Sequence, residues 1–240
     1  MNKEKLLYEN SKHALQSDNI IAITNRHLCN RPFMEQLERV CKLHPHAIVL
    51  REKDMPEAEY LSLARDVIAL CKKYAVQCML HSFINVAMEL EHPYIHLPLP
   101  ILEAYVQKNV SGNISTGMSK STDNYQQFFK VIGTSVHSVE DAIKAEQLGA
   151  TYMTAGHIFA TDCKKGLPPR GLDFLKNVCD AVGIPVYAIG GINIASNYNS
   201  TASDSPSTYD AVRDISVPRL AEVMECGAAG GCIMSGMMRV

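Results

Sequence analysis

Pro185-Val186-Tyr187-Ala188-Ile189-Gly190-Gly191 is the stretch on which the fold turns. A proline opens a short apolar run, and two glycines close it. The apolar residues are consecutive rather than alternating, which marks a strand buried on both faces. Such strands sit in parallel sheets covered by helices. A second strand, Gly231-Cys232-Ile233-Met234, runs into Ser235-Gly236 and so ends in the same way. Between the two lies a helix candidate from Pro218 to Glu225, stopped at Gly227.

Working upstream, the same unit repeats. Strand candidates are Ile20 to Ile23, Ala47 to Leu50, Cys78 to Leu80, Tyr94 to Leu97, Lys130 to Gly133 and Tyr152 to Thr154. Helix candidates follow at Phe33 to Leu43, Pro56 to Lys73, Ile84 to Leu90, Ser138 to Gln147 and Leu172 to Val182. Pro56 suits a first helical turn, where its missing N–H has no partner to lose. Ser138 with Asp141 has the spacing of a capping box. Residues 101–124 read as a short helix followed by a Ser/Gly/Asn-rich loop.

Eight such units predict an α/β protein with parallel strands and crossover helices. Eight repeats favour closure into a single (β/α)₈ TIM barrel; an open doubly wound sheet is the competing arrangement. The expected organisation is one domain over residues 1–240, with residues 1–18 as an N-terminal extension. Two features depart from the repeat. Residues 193–217 form a polar run rich in Asn, Ser, Thr and Asp. It is either a surface insertion after strand seven or a lid over the barrel mouth. Only six residues follow Met234, so the eighth helix is expected to be short or absent, and residues Lys3 to Leu15 are a candidate cover for the surface it would leave.

Composition narrows the function classes. Apolar residues make up 47%, enough for a sizeable core, and the formal net charge of −2 offers no basic field for nucleic acid. No apolar run is long enough to span a membrane, and Met1 to Gln16 lacks the apolar core of a secretory signal. Cys29, Cys41, Cys71, Cys78, Cys163, Cys179, Cys226 and Cys232 are scattered without a C-x-x-C pair, as expected of reduced thiols in a cytoplasmic protein.

Strand exits carry the chemistry in such barrels. After strand two, Arg51-Glu52-Lys53 is either a solvated turn or a pair of cations facing an anion. After strand five, Ser135-Val136-His137-Ser138 places a histidine before a helix cap; it is a surface residue or an acid/base, since imidazole exchanges protons near neutral pH. The strand-six loop, Gly156 to Gly166, holds Thr161, Cys163, Lys164 and Lys165, with hydroxyl, thiol and ammonium groups suited to an anion. The adjacent lysines could favour a Cys163 thiolate. Gly190-Gly191 and Ser235-Gly236 would let backbone N–H groups approach a phosphate.

These segments together resemble the thiamine phosphate synthase superfamily. The resemblance runs from Ile20 to Gly236, is most specific in the second half, and is closer to the TenI branch of thiazole tautomerases. That resemblance implies a (β/α)₈ barrel. The synthase joins a pyrimidine pyrophosphate to a thiazole phosphate with Mg²⁺. Its Gln-Leu-Arg-x-Lys after strand two corresponds to Val49-Leu50-Arg51-Glu52-Lys53, with Gln replaced. Its metal-binding Asp after strand three falls in His81-Ser82. The second, after strand four, falls in His96-Leu97-Pro98-Leu99-Pro100-Ile101, so neither carboxylate remains.

The tautomerase branch is matched by His137 and, without change, by Thr161-Asp162-Cys163-Lys164-Lys165-Gly166. The resemblance therefore implies isomerisation of a carboxythiazole phosphate tautomer to the aromatic thiazole phosphate, without metal or cofactor. His137 is the implied acid/base. Arg51, Lys53, Ser135, Thr161, Cys163 and Lys164 are the implied substrate contacts, and Gly190, Gly191, Ser235 and Gly236 the implied phosphate site. A divergent synthase and a non-catalytic ligand-binding or regulatory barrel are the alternatives. The expected partner is the small-molecule thiazole phosphate; neither nucleic acid nor membrane is expected, and a homo-oligomer is left open.

Overall fold

The computed structural model describes residues 19–114, 128–161, 164–196 and 215–240. Eight strands form a closed barrel: β1 (Ile20–Ile23), β2 (Ala47–Leu50), β3 (Gln77–His81), β4 (Tyr94–Pro98), β5 (Val131–Val136), β6 (Tyr152–Gly156), β7 (Val186–Ile189) and β8 (Gly230–Ile233). All neighbours pair parallel, and β1 closes the ring between β2 and β8, with Ile21 opposite both Ala47 and Cys232. The open-sheet arrangement is thereby excluded.

Helices follow the strands in turn: α1 (Phe33–Lys42), α2 (Glu57–Lys73), α3 (Ile84–Glu89), α4 (Leu99–Ile114), α5 (Val139–Gln147), α6 (Gly171–Ala181) and α7 (Leu220–Glu225). Pro56 sits at the N-cap of α2, one position before the helix, with extended ψ. Ser138 caps α5 by accepting from the Asp141 N–H at 3.0 Å, while the Asp141 carboxylate accepts from the His137 N–H at 3.3 Å. The segment after β4 differs from the sequence reading. It is a 16-residue helix beginning at Leu99, because Pro98 ends the strand and Pro100 falls in the first turn, where its missing N–H costs nothing.

Successive residues of each strand serve two cores. Ile21, Ile23, Ala47, Val49, Met79, Tyr152, Tyr187 and Cys232 fill the barrel. Ile20, Ala22, Ile48, Leu50, Cys78, Leu80, Ile95 and Leu97 pack outward with the helices. This is why the strands read as continuously apolar. Gly133 has a specific role: a Cβ there would lie 2.2 Å from the Tyr152 ring, so the glycine makes room for a tyrosine inside the barrel.

After β8 the chain runs in turns rather than a helix. Met237 and Met238 are fully buried, and the Gln36 side chain donates to the Met237 carbonyl at 2.7 Å. The C-terminal turns therefore cover part of the surface an eighth helix would take. Residues 3–15, the cover expected from sequence, lie outside the described residues. Of the polar run at 193–217, Ala195–Ser196 pairs antiparallel with Ile215–Ser216, and residues 197–214 lie outside the described residues. Among the described residues, Cys29, Cys41, Cys71, Cys78, Cys179, Cys226 and Cys232 are free thiols, and no helix is long and apolar enough to cross a membrane.

Candidate active site

Side chains at the C-terminal ends of the strands alternate between core and mouth, so the last inward position of each strand lines the mouth. On β2 the next residue outward is Arg51. The alternating charges that follow are sorted by the fold. Glu52 is buried and accepts from Thr24 Oγ1 at 2.6 Å and from the Arg26 N–H at 3.1 Å. Arg26 also pairs with Glu52 at 3.1 Å and grips Asp54 through two bonds of 2.8 and 2.7 Å. That pairing, with His27, holds the Asp54 carboxyl well below the usual carboxylate range. Both acids are thus committed to the β1 exit. Arg51 and Lys53 have no carboxylate partner among the described residues. Partial burial, then the neighbouring Arg51, pulls the Lys53 ammonium below its ordinary value.

The wall beside them was missed as a site by sequence reasoning. His81 on β3 and His96 on β4 are both buried, with rings stacked at 5.6 Å between centroids. His96 Nδ1 is 2.9 Å from the Tyr152 hydroxyl and Nε2 is 2.9 Å from Ser135 Oγ, which accepts from Thr154 Oγ1 at 3.0 Å. Burial drives the His81 imidazole down to about 2, helped by His96, Arg51 and Lys53. It drives His96 down to about 3, helped by Arg51 and Lys53. Both rings are neutral at physiological pH. The signal was present in the sequence: His81 follows the inward Met79 by two residues and His96 follows Tyr94 by two, so period-two counting places both at the mouth.

Ser135 is partly buried in this network, and His137 is exposed one residue past β5, with Nδ1 3.0 Å from the Gly156 carbonyl. The structure thus brings His137 to the junction of β5 and β6. Thr161 is partly buried in the β6 loop and its carbonyl accepts from the Lys164 N–H at 3.0 Å, while the Lys164 side chain is exposed. Cys163 lies outside the described residues.

Gly190 and Gly191 have φ of +103° and +70°, a region that favours glycine. Their role is partly different from that read in the sequence. A Cβ on Gly190 would lie 2.5 Å from His157 Cβ, and one on Gly191 would lie 2.5 Å from the Ala160 carbonyl oxygen. The glycines let the β6 loop pack onto the β7 exit. Gly236 lies beside Ile194, so the β7 and β8 exits are brought together. Among the described residues, the N–H groups of Gly191, Ile192, Ser235 and Gly236 make no backbone hydrogen bond. The mouth thus has cations and neutral imidazoles at β2 to β4, His137 at β5, and, at β7 and β8, N–H groups without a backbone partner among the described residues.

Residues 20–204 match the family described as thiamine monophosphate synthase. The chain belongs to that family. It is 35% identical over 173 residues to a putative thiamine-phosphate synthase 2 of Aquifex aeolicus, covering 72% of this chain and 84% of that one. It is 30% identical over 194 residues to a thiamine-phosphate synthase of Clostridium novyi, covering 79% and 88%. Among solved structures, a thiamine phosphate pyrophosphorylase from Pyrococcus furiosus superposes with a TM-score of 0.66 at 25% identity, covering 92% and 88%.

Mg²⁺, which the family resemblance implies for the synthases, requires oxygen ligands, chiefly carboxylates and phosphates. At the β3 and β4 exits this family member has His81, Ser82 and the Leu97-Pro98-Leu99 run. The nearby acids Glu52 and Asp54 are engaged with Thr24, Arg26 and His27. No group of three or more His, Cys, Asp or Glu able to hold a metal occurs among the described residues. The donor set at these exits does not fit Mg²⁺.

Proposed function

We propose that this thiamine monophosphate synthase family member is a thiazole tautomerase of the TenI type. The observation that carries the reading is the absence of an acidic oxygen donor at the β3 and β4 exits, where Ser82 and the Leu97-Pro98-Leu99 run stand, beside the cations Arg51 and Lys53. Joining a pyrimidine pyrophosphate to a thiazole releases pyrophosphate, whose charge needs strong electrostatic support. A tautomerisation needs only a proton taken from a ring carbon and one returned to the exocyclic carbon. A single positioned acid/base suffices for that.

His137 suits the role. A carbonyl oxygen only accepts, so the Gly156 carbonyl keeps the hydrogen on Nδ1 and leaves Nε2 as the basic nitrogen. Nε2 would remove the ring proton and, as imidazolium, return it to the exocyclic carbon. The substrate phosphate would meet the open N–H groups of Gly191, Ile192, Ser235 and Gly236. Its carboxylate would meet Arg51 and Lys53, with Ser135, Thr161, Cys163 and Lys164 as further contacts.

A second reading, a thiamine-phosphate synthase, is favoured by the names of the relatives. Both reactions should be assayed on the purified protein, with Mg²⁺ and with EDTA. The tautomerase reading expects isomerisation unaffected by EDTA and no thiamine phosphate formed. Synthesis of thiamine phosphate that EDTA abolishes and Mg²⁺ restores would replace it with the synthase reading.

A further inference from the structure

The mouth carries another arginine that neither the strand exits nor the family motifs point to. Arg219 precedes α7. Its guanidinium lies 4.2 Å over the ring of Phe159, from the β6 loop, and Nη1 is 3.3 Å from the Gly191 carbonyl oxygen. Gly191 in turn packs against Phe159 and Ala160. Arg219 therefore sits on the junction of the β6 loop and the β7 exit, on the Gly190-Gly191-Ile192 turn whose Gly191 and Ile192 N–H groups make no backbone hydrogen bond among the described residues.

Arg26 spends its guanidinium on two carboxylates, Glu52 and Asp54, and is neutralised by them. Arg219 has one long bond to a carbonyl and no carboxylate partner among the described residues. A guanidinium offers five N–H donors in a rigid plane. Stacking on Phe159 restrains that plane without using the in-plane donors. A cation without a carboxylate partner on a turn whose N–H groups make no backbone hydrogen bond, both among the described residues, gives that turn positive potential suited to an oxyanion.

We infer that Arg219 is a specificity-determining residue for the phosphate, donating to a phosphate oxygen while Phe159 holds its plane. This rests on the reading that phosphate occupies the β7 and β8 exits, and it adds a side-chain charge to a site otherwise made of backbone. The site would take a phosphate monoester dianion in preference to the corresponding alcohol.

The test uses the full chain and inorganic phosphate, which requires no assumption about the reaction. Binding is measured by calorimetry for the unaltered protein, Arg219→Gln, Arg219→Lys and Phe159→Leu, with thermal unfolding as the control for folding. Arg219→Gln should weaken phosphate binding about ten-fold or more, as expected for a lost charge-assisted bond. Arg219→Lys should recover part of the loss, and Phe159→Leu should cost a few-fold because the guanidinium loses its platform. The same variants should leave binding of the uncharged, dephosphorylated thiazole alcohol within two-fold. Equal phosphate affinity in Arg219→Gln and the unaltered protein would overturn the role of Arg219 alone. Equal weakening of phosphate and alcohol would also overturn it, making Arg219 a brace for the loop. No phosphate binding by the unaltered protein would overturn the phosphate site itself.

Discussion

The Nδ1 atom of His137 lies 3.0 Å from the carbonyl oxygen of Gly156. One residue ends just past β5 and the other closes β6, so the contact exists only because the two strands pair in register, with Val136 opposite Ala155. It decides which nitrogen of the imidazole can act as a base. Asparagine in place of His137 can keep a donor toward Gly156 through its amide while losing the basic nitrogen. We expect His137→Asn to lower kcat for tautomerisation by about 10²- to 10⁴-fold, the usual contribution of a general acid/base, with ligand affinity within a few-fold. Cys163→Ser should have a smaller effect. Steady-state kinetics of both variants check this; a near-normal His137→Asn enzyme would move the proton transfer to the β6 loop.

Gly191 and Gly236 should behave differently although both belong to the proposed phosphate site. Gly191 has φ of +70°, and a Cβ there would strike the Ala160 oxygen at 2.5 Å and Phe159 Cβ at 2.6 Å. Forcing a side chain into that backbone region costs about 1–3 kcal/mol before any overlap is counted. Gly191→Ala should therefore lower Tm by several degrees and weaken binding of every ligand. Gly236 has no positive φ, and its nearest neighbours to a Cβ are at 3.2 Å. Gly236→Ala should nearly preserve Tm and selectively weaken phosphate. Paired melting curves and phosphate titrations separate the two.

The buried histidine pair should make the protein acid-sensitive. His81 is pushed down to about 2 and His96 to about 3, so the unfolded chain binds more protons than the folded one below the ordinary histidine range. Their neutral burial contributes full stability above pH ~6.5, and that contribution falls as pH drops toward 3. Each ring alone gives a slope of about 1.4 kcal/mol per pH unit in that window. Stability measured by urea unfolding at pH 7, 6 and 5 should decline steadily. A His81→Asn, His96→Gln double variant should show a flatter profile, whatever its stability at pH 7. Parallel profiles in the two proteins would show that other groups set the acid limit.

Met238 should matter more to stability than its place two residues from the end suggests. It is fully buried, with its sulfur 3.8 Å from Cys29 Sγ. Met238→Ala should destabilise the fold by about 2–5 kcal/mol, the range for truncating a buried side chain. Exposed Met88, on α3, provides the control: Met88→Ala should change stability little. Denaturant midpoints of the two variants make the comparison.

What the sequence determined by itself was local. Short consecutive apolar runs, glycine and proline punctuation and the Ser138 cap located all eight barrel strands and most helices to within a few residues. These signals depend on neighbours in the chain, so they survive without knowledge of the fold. The strand exits that carry Arg51, His137, Gly190 and Ser235 followed from the same counting, and α4 was underestimated because its polar second half carries little periodicity. The tertiary structure decided which of these groups meet and in what state. Glu52 and Arg51 are adjacent in sequence, yet only the fold sends one to Thr24 and Arg26 and leaves the other beside the histidine pair. His81, His96, Ser135, Thr154 and Tyr152 come from four different strands, and their hydrogen bonds exist only through barrel register. Burial, which sets the charge of the imidazoles, is a property of the closed barrel. Glycine freedom at Gly191 was legible as a type, but its reason, the approach of Ala160 and Phe159, was a long-range packing fact that local patterns do not contain.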